Sequence, residues 1–78
     1  MGFALSSINK QEEAIVAYNN AISIKPNYSE AYCNLGNAYK EIGKLNEAID
    51  FYRNAISINP NYAQVHNNLG KVFQEQDK

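Results

Sequence analysis

Side-chain amides recur at helical spacing in two related stretches of this sequence: Asn34 and Asn37 with Lys40 in the first, and Gln64, Asn67, Asn68 and Gln74 with Lys71 in the second. Each carboxamide carries a donor and an acceptor, so a row of them on one face is equipped to clamp the backbone of an extended peptide without reading its side chains. Capture of a terminal carboxylate needs clustered cations instead, and Lys40 and Lys71 alone make that clamp incomplete. Nucleophilic catalysis has one candidate pair, Cys33 with His66. They stand at nearly equivalent places in the two stretches with no third group to orient the imidazole, so no enzymatic activity is expected, and His66 is expected to pack between helices. Glu12, Glu13 and Glu47 fall at helix starts, where a carboxylate complements the helix dipole. One cysteine and one histidine do not make a zinc site, and the glycines are not grouped into a phosphate-cradling loop. Neither a metal nor a cofactor is expected.

These groups belong to a pattern that repeats every 34 residues. Gly2, Gly36 and Gly70 share one register, as do Ala14 and Ala48, Tyr18 and Tyr52, and Pro26 and Pro60. The run Ala21-Ile22-Ser23-Ile24 returns as Ala55-Ile56-Ser57-Ile58, and Pro26-Asn27-Tyr28 as Pro60-Asn61-Tyr62. Units of this length cannot bury their apolar faces alone and stack on their neighbours to do so.

The apolar period is helical throughout. Between 29 and 42 it runs through Ala31, Tyr32, Leu35, Ala38, Tyr39 and Ile42, which leaves Glu30, Cys33, Asn34, Asn37, Lys40 and Glu41 on the other face. Between 45 and 58 it runs through Leu45, Ala48, Ile49, Tyr52, Ala55 and Ile56, with Asn46, Glu47, Asp50, Arg53 and Asn54 turned to water. Gly43 between them predicts a left-handed residue closing the first helix, and Asn9 stands in the same place one period earlier. Pro26 and Pro60 punctuate the other junction, where Asn27 with Glu30 and Asn61 with Gln64 predict variants of a capping box. The same frame gives an all-α chain of about five helical segments, near 2–8, 10–24, 28–42, 44–58 and 62–76.

The pattern Tyr32-x-x-Leu35-Gly36-x-x-Tyr39, then Ala48-x-x-x-Tyr52, Ala55 and Pro60, resembles the tetratricopeptide repeat (TPR). Tyr32 and His66 stand where the family commonly has tryptophan, and Leu5 replaces the later aromatic. The resemblance implies antiparallel helix hairpins stacked into a right-handed superhelical solenoid. It divides the single array 1–78 into a partial repeat at 2–27, a complete one at 28–61 and the first helix of another at 62–78. It also implies a concave groove, lined by the first helix of each hairpin, that holds a peptide or partner helix. Asn34, Asn37, Lys40, Gln64, Asn67, Asn68 and Lys71 are the groove residues on this view. The phrase Ala31-Tyr32-Cys33-Asn34-Leu35-Gly36-Asn37 is similar to the repeats of O-linked N-acetylglucosamine transferases, in which the repeating asparagine forms a ladder.

Composition narrows the partners. A net charge of -1 over 78 residues, with the signs interspersed, sets up no field to draw in nucleic acid or an anionic membrane. No apolar run spans a bilayer and no secretory pattern opens the chain, so an intracellular setting is the expectation, in keeping with a single thiol. Met1-Gly2-Phe3-Ala4-Leu5-Ser6 fits the loose acylation pattern and Asn27-Tyr28-Ser29 the glycosylation one. Gly2 is better explained by the repeat and Ser29 by a helix start. The expected role is a protein-interaction module taken from a longer chain, with a spacer or self-assembling unit as the alternative. Self-association is expected through Val65, Leu69, Val72 and Phe73 at one end and Ile15, Tyr18 and Ile22 at the other.

Overall fold

Proline and glycine place the turns where the repeat puts them. A computed structural model describes residues 2–77, with side chains from Lys10 onward. It contains four helices: α1 (Gly2–Ile24), α2 (Ser29–Glu41), α3 (Leu45–Ile58) and α4 (Ala63–Gln76). Lys25 and Asn59 donate their N–H groups to Ala21 and Ala55 at 2.9 Å, and the prolines that follow have no N–H with which to continue. Between α2 and α3 the chain closes in a Schellman motif. Gly43 takes φ 85°, its N–H reaches the Lys40 carbonyl at 3.0 Å, and the Lys44 N–H reaches that of Tyr39 at 2.9 Å.

The all-α architecture is as expected, in four helices rather than about five. The segments near 2–8 and 10–24 run together as α1, and Asn9 does not turn, since no non-glycine residue among those described has positive φ. A left-handed residue other than glycine costs about 1–2 kcal/mol. The Gly43 turn is compensated by two packed helices, whereas a segment of seven residues offers too little surface to compensate Asn9. The capping boxes are also absent. Tyr28 and Tyr62, one residue after the asparagines, are the cap residues of α2 and α4, and neither helix has a side-chain cap bond. Their carbonyls instead receive the N–H groups of Ala31 and Tyr32, and of Val65 and His66, at 3.1–3.3 Å. Leu5 and the acylation segment Met1–Ser6 lie outside the residues whose side chains are described.

The helices form a slab of 40 × 34 × 16 Å, two layers thick at the usual spacing of about 10 Å between helix axes. α2 packs between α1 and α3 and touches α4, α3 packs on α4, and α1 packs on α2 alone. Cys33, Ala48, Ile49, Tyr52, Ala55, Val65, Leu69 and Val72 make the core that joins α2, α3 and α4. Gly36 permits the close approach of α2 and α3: a Cβ there would lie 2.5 Å from Cδ1 and Cε1 of Tyr52. Phe51 stacks on Tyr39 at 5.1 Å between ring centres, with Tyr32 at 6.4 Å, and fills the same seam.

Two side chains face the other way from the sequence expectation. Cys33, assigned to the polar face, is 1% exposed inside the core, because α2 has helices on three sides and buries a wider arc than a single stripe. His66, expected to pack between helices, is exposed and donates its Nε2–H to the Pro60 carbonyl at 2.9 Å. Its counterpart Tyr32 meets Phe51 of α3, and no described helix stands in that position beside α4. The apolar face of α4 is largely used within the molecule. Val65, Leu69 and Val72 are buried, and Phe73 stays 42% exposed.

Candidate functional site

The amide residues sit on the first helix after each proline turn. Asn34, Asn37 and Lys40 are half-buried on α2, Asn68 is half-buried on α4, and Gln64, Asn67 and Lys71 are exposed on α4. α2 and α4 come into contact, and the two stretches meet at one point. Asn68 donates from Nδ2 to Oδ1 of Asn37 at 3.1 Å, and the Tyr52 hydroxyl donates to the same oxygen. Nδ2 of Asn37 donates to Cys33 Sγ at 4.0 Å, a long contact. Asn37 thus ties α2, α3 and α4 together with an oxygen that already accepts twice, while Asn34 makes no such bond among the described residues. No side-chain hydrogen bond joins Asn34, Lys40, Gln64, Asn67 or Lys71 to one another among the described residues.

Tyr52 was legible in the sequence as a core aromatic and not as the donor that holds this amide. A buried tyrosine hydroxyl needs a partner, and that requirement is the signal that points to a polar residue nearby on α2. Burial pushes the Tyr52 hydroxyl up to about 12 from its ordinary 10.0, with smaller contributions from Cys33, Glu41 and Glu75. Burial likewise raises the Cys33 thiol above 9.0, partly opposed by the adjacent Tyr62 hydroxyl and reinforced by Glu30. Tyr62 is raised too, first by burial and then by Cys33. A buried thiol held protonated is a poor nucleophile, and His66 is engaged with Pro60 rather than with it.

These shifts have a measurable consequence. An acid whose folded-state pKa lies above its unfolded value contributes stability that is complete below the unfolded value and is lost as pH rises. The free energy of unfolding is therefore expected to hold at neutral pH, to decline as pH passes through 9, the ordinary value of the unfolded Cys33 thiol, and to fall most steeply between 10 and 12 as Tyr52 follows. Urea titrations across this range check it. Tyr52→Phe should remove the steepest part, and a flat profile from pH 9 to 12 would refute the assignment.

The family model described as TPR repeat matches the chain twice, over residues 2–43 and 36–77. The chain belongs to the tetratricopeptide repeat family. TPR repeats generally act as protein–protein interaction modules, and they are typically non-catalytic. No curated protein matches this TPR chain. Among its described residues no helix is long and apolar enough to cross a membrane.

Proposed function

We propose that this TPR chain works as an intracellular interaction module whose α2 and α4 present a concave, amide-rich groove to an extended peptide or partner helix. The groove residues on this proposal are Asn34, Asn37, Lys40, Gln64, Asn67, Asn68 and Lys71. The repeat units fall at 2–27, 28–61 and 62–78. The observation that carries the reading is the bond between Asn68 and Asn37, which holds amides of successive repeats in one row across two helices. Asn34 adds a half-buried amide whose donor and acceptor are both available to a ligand backbone. Repeated asparagines at these places support a ladder of the kind the resemblance to O-linked N-acetylglucosamine transferases implies. A mixed-charge surface favours neither nucleic acid nor membrane as the partner.

Titration with extended peptides whose C-termini are either amidated or free tests this. Asn34→Ala is expected to weaken binding by about 1–3 kcal/mol, the usual loss when a buried hydrogen bond goes unmade, with helicity unchanged. Asn68→Ala should weaken it further and also loosen α4, because that amide carries a structural bond as well. The free carboxylate should matter little. Unaltered affinity in Asn34→Ala removes the backbone-clamp idea, and a strong demand for the carboxylate replaces it with capture by Lys40 and Lys71.

A further inference from the structure

The repeat makes α4 a second α2 and the 10–24 part of α1 a second α3. Leu69 and Gly70 stand for Leu35 and Gly36, and Ala14, Ile15, Tyr18 and Ala21 stand for Ala48, Ile49, Tyr52 and Ala55. In α3 all four of those residues are buried, Tyr52 with no exposure at all. In α1 the identical four are each only half-buried. The cause is in the packing: α3 has both α2 and α4 beside it, whereas α1 has α2 alone, in the place that α4 takes against α3. What α1 lacks is a helix standing to it as α2 stands to α3.

α4 has the reciprocal deficit. A Cβ at Gly36 would strike the Tyr52 ring at 2.5 Å, yet one at Gly70 would meet nothing within 4 Å. His66 is exposed beside it and Phe73 is 42% exposed, at the places where Tyr32 and Tyr39 meet α3. The chain therefore carries the two halves of its own α2–α3 interface on helices that do not touch each other.

We propose that α4 of one molecule receives α1 of a second copy, with the second copy's Tyr18 ring over Gly70, so that the α3-on-α2 contact is repeated between chains. A second copy is the occupant argued for because the interface continues one that the fold already contains, with Leu69, Gly70, Ala14, Ile15, Tyr18 and Ala21 identical to their counterparts. Charge agrees. The register that brings Lys44 to the end of α2 brings Lys10 to the end of α4, beside Glu75 and Asp77, where a cation also complements the helix dipole. Lys71 replaces Asn37 where the tyrosine hydroxyl arrives, and its ammonium donates to that oxygen. Residues 2–9 continue α1 beyond the register of the Gly43 turn, past the end of α4 rather than across it. Ala17 stands where Phe51 stacks on Tyr39, so the intermolecular seam lacks one ring and is weaker than its intramolecular model.

The contact is heterologous. Each copy that gives its α1 keeps an open α4, so assembly proceeds head to tail. Sedimentation velocity over a concentration series should show mass rising progressively past the dimer. Gly70→Val fills the acceptor side at a position where an added Cβ meets nothing within 4 Å, and Tyr18→Ala removes the donor ring. Each variant alone is expected to be monomeric and helical by circular dichroism. Mixed, they should form a one-to-one dimer and stop there, because one still has a working α1 and the other a working α4. This mixture also shows that neither variant has merely unfolded. A wild-type chain that is monomeric throughout, one that stops at a symmetric dimer, assembly that survives Gly70→Val, or variants that fail to complement when mixed would each overturn the proposal. Of the groove residues only Lys71 takes part, so Asn34→Ala leaves assembly intact and the two proposals fail separately.

Discussion

Replacing Tyr52 with Ala is expected to cost about 3–5 kcal/mol of folding free energy, as for other large aromatic residues truncated in a core. The ring is wholly buried, lies against Gly36, and sends its hydroxyl to Asn37. A domain of this size commonly has about 5–15 kcal/mol in total, so the variant should lose a large share of its stability. Tyr52→Phe separates the two contributions. It keeps the ring and removes one of two donors to the Asn37 oxygen, and about 1 kcal/mol is expected to be lost. Urea unfolding followed by circular dichroism measures both. If the alanine variant loses no more than the phenylalanine variant, Tyr52 is not the centre of the α2–α3 contact.

The second large effect is expected at Gly36, with Gly70 as its control. Both are helical glycines at the same place in the repeat, and helix propensity alone would make their replacement slightly stabilising. Gly36→Val has to push Tyr52 away from a position 2.5 Å from the first added carbon. A shift of that kind in a packed interior costs about 3 kcal/mol, well beyond the propensity gain. Gly70→Val meets open space and should stay within about 0.5 kcal/mol of the parent in dilute solution, as surface substitutions usually do. Thermal unfolding of the two variants at low concentration distinguishes them. Equal losses would mean that the glycines answer a backbone requirement and not the approach of α3.

The sequence and the structure agree where local chemistry decides and part where neighbours do. The ends of α2, α3 and α4 fall within a residue of the spans read from the period, because Pro26, Gly43 and Pro60 act on the backbone regardless of what packs around them. Asn9 shares the register of Gly43 without its conformational freedom, and there the helix runs on. A single apolar stripe along one helix puts Cys33 on the polar face and His66 on the buried one. Such a stripe counts no neighbours. It underestimates the arc buried on α2, which has three, and overestimates the arc on α4 next to a position no described helix fills. The amide row was visible in composition and spacing. The division of labour within it was not, since no periodicity shows that Asn37 spends its oxygen on Tyr52 and Asn68 while Asn34 keeps its own.

That shared oxygen bears on how stiff the solenoid is. A short planar amide pinned from two directions leaves α4 little freedom to rock across the α2–α3 pair, and so fixes the pitch between one unit and the next. At the corresponding place in α4 stands Lys71, whose ammonium rides on a four-carbon stem and turns its three donors freely. It can satisfy a hydroxyl or an amide oxygen from many angles and holds none of them to a plane. Any array continued through α4 accordingly has a rigid joint at Asn37 and a compliant one at Lys71, and its curvature adjusts at the second.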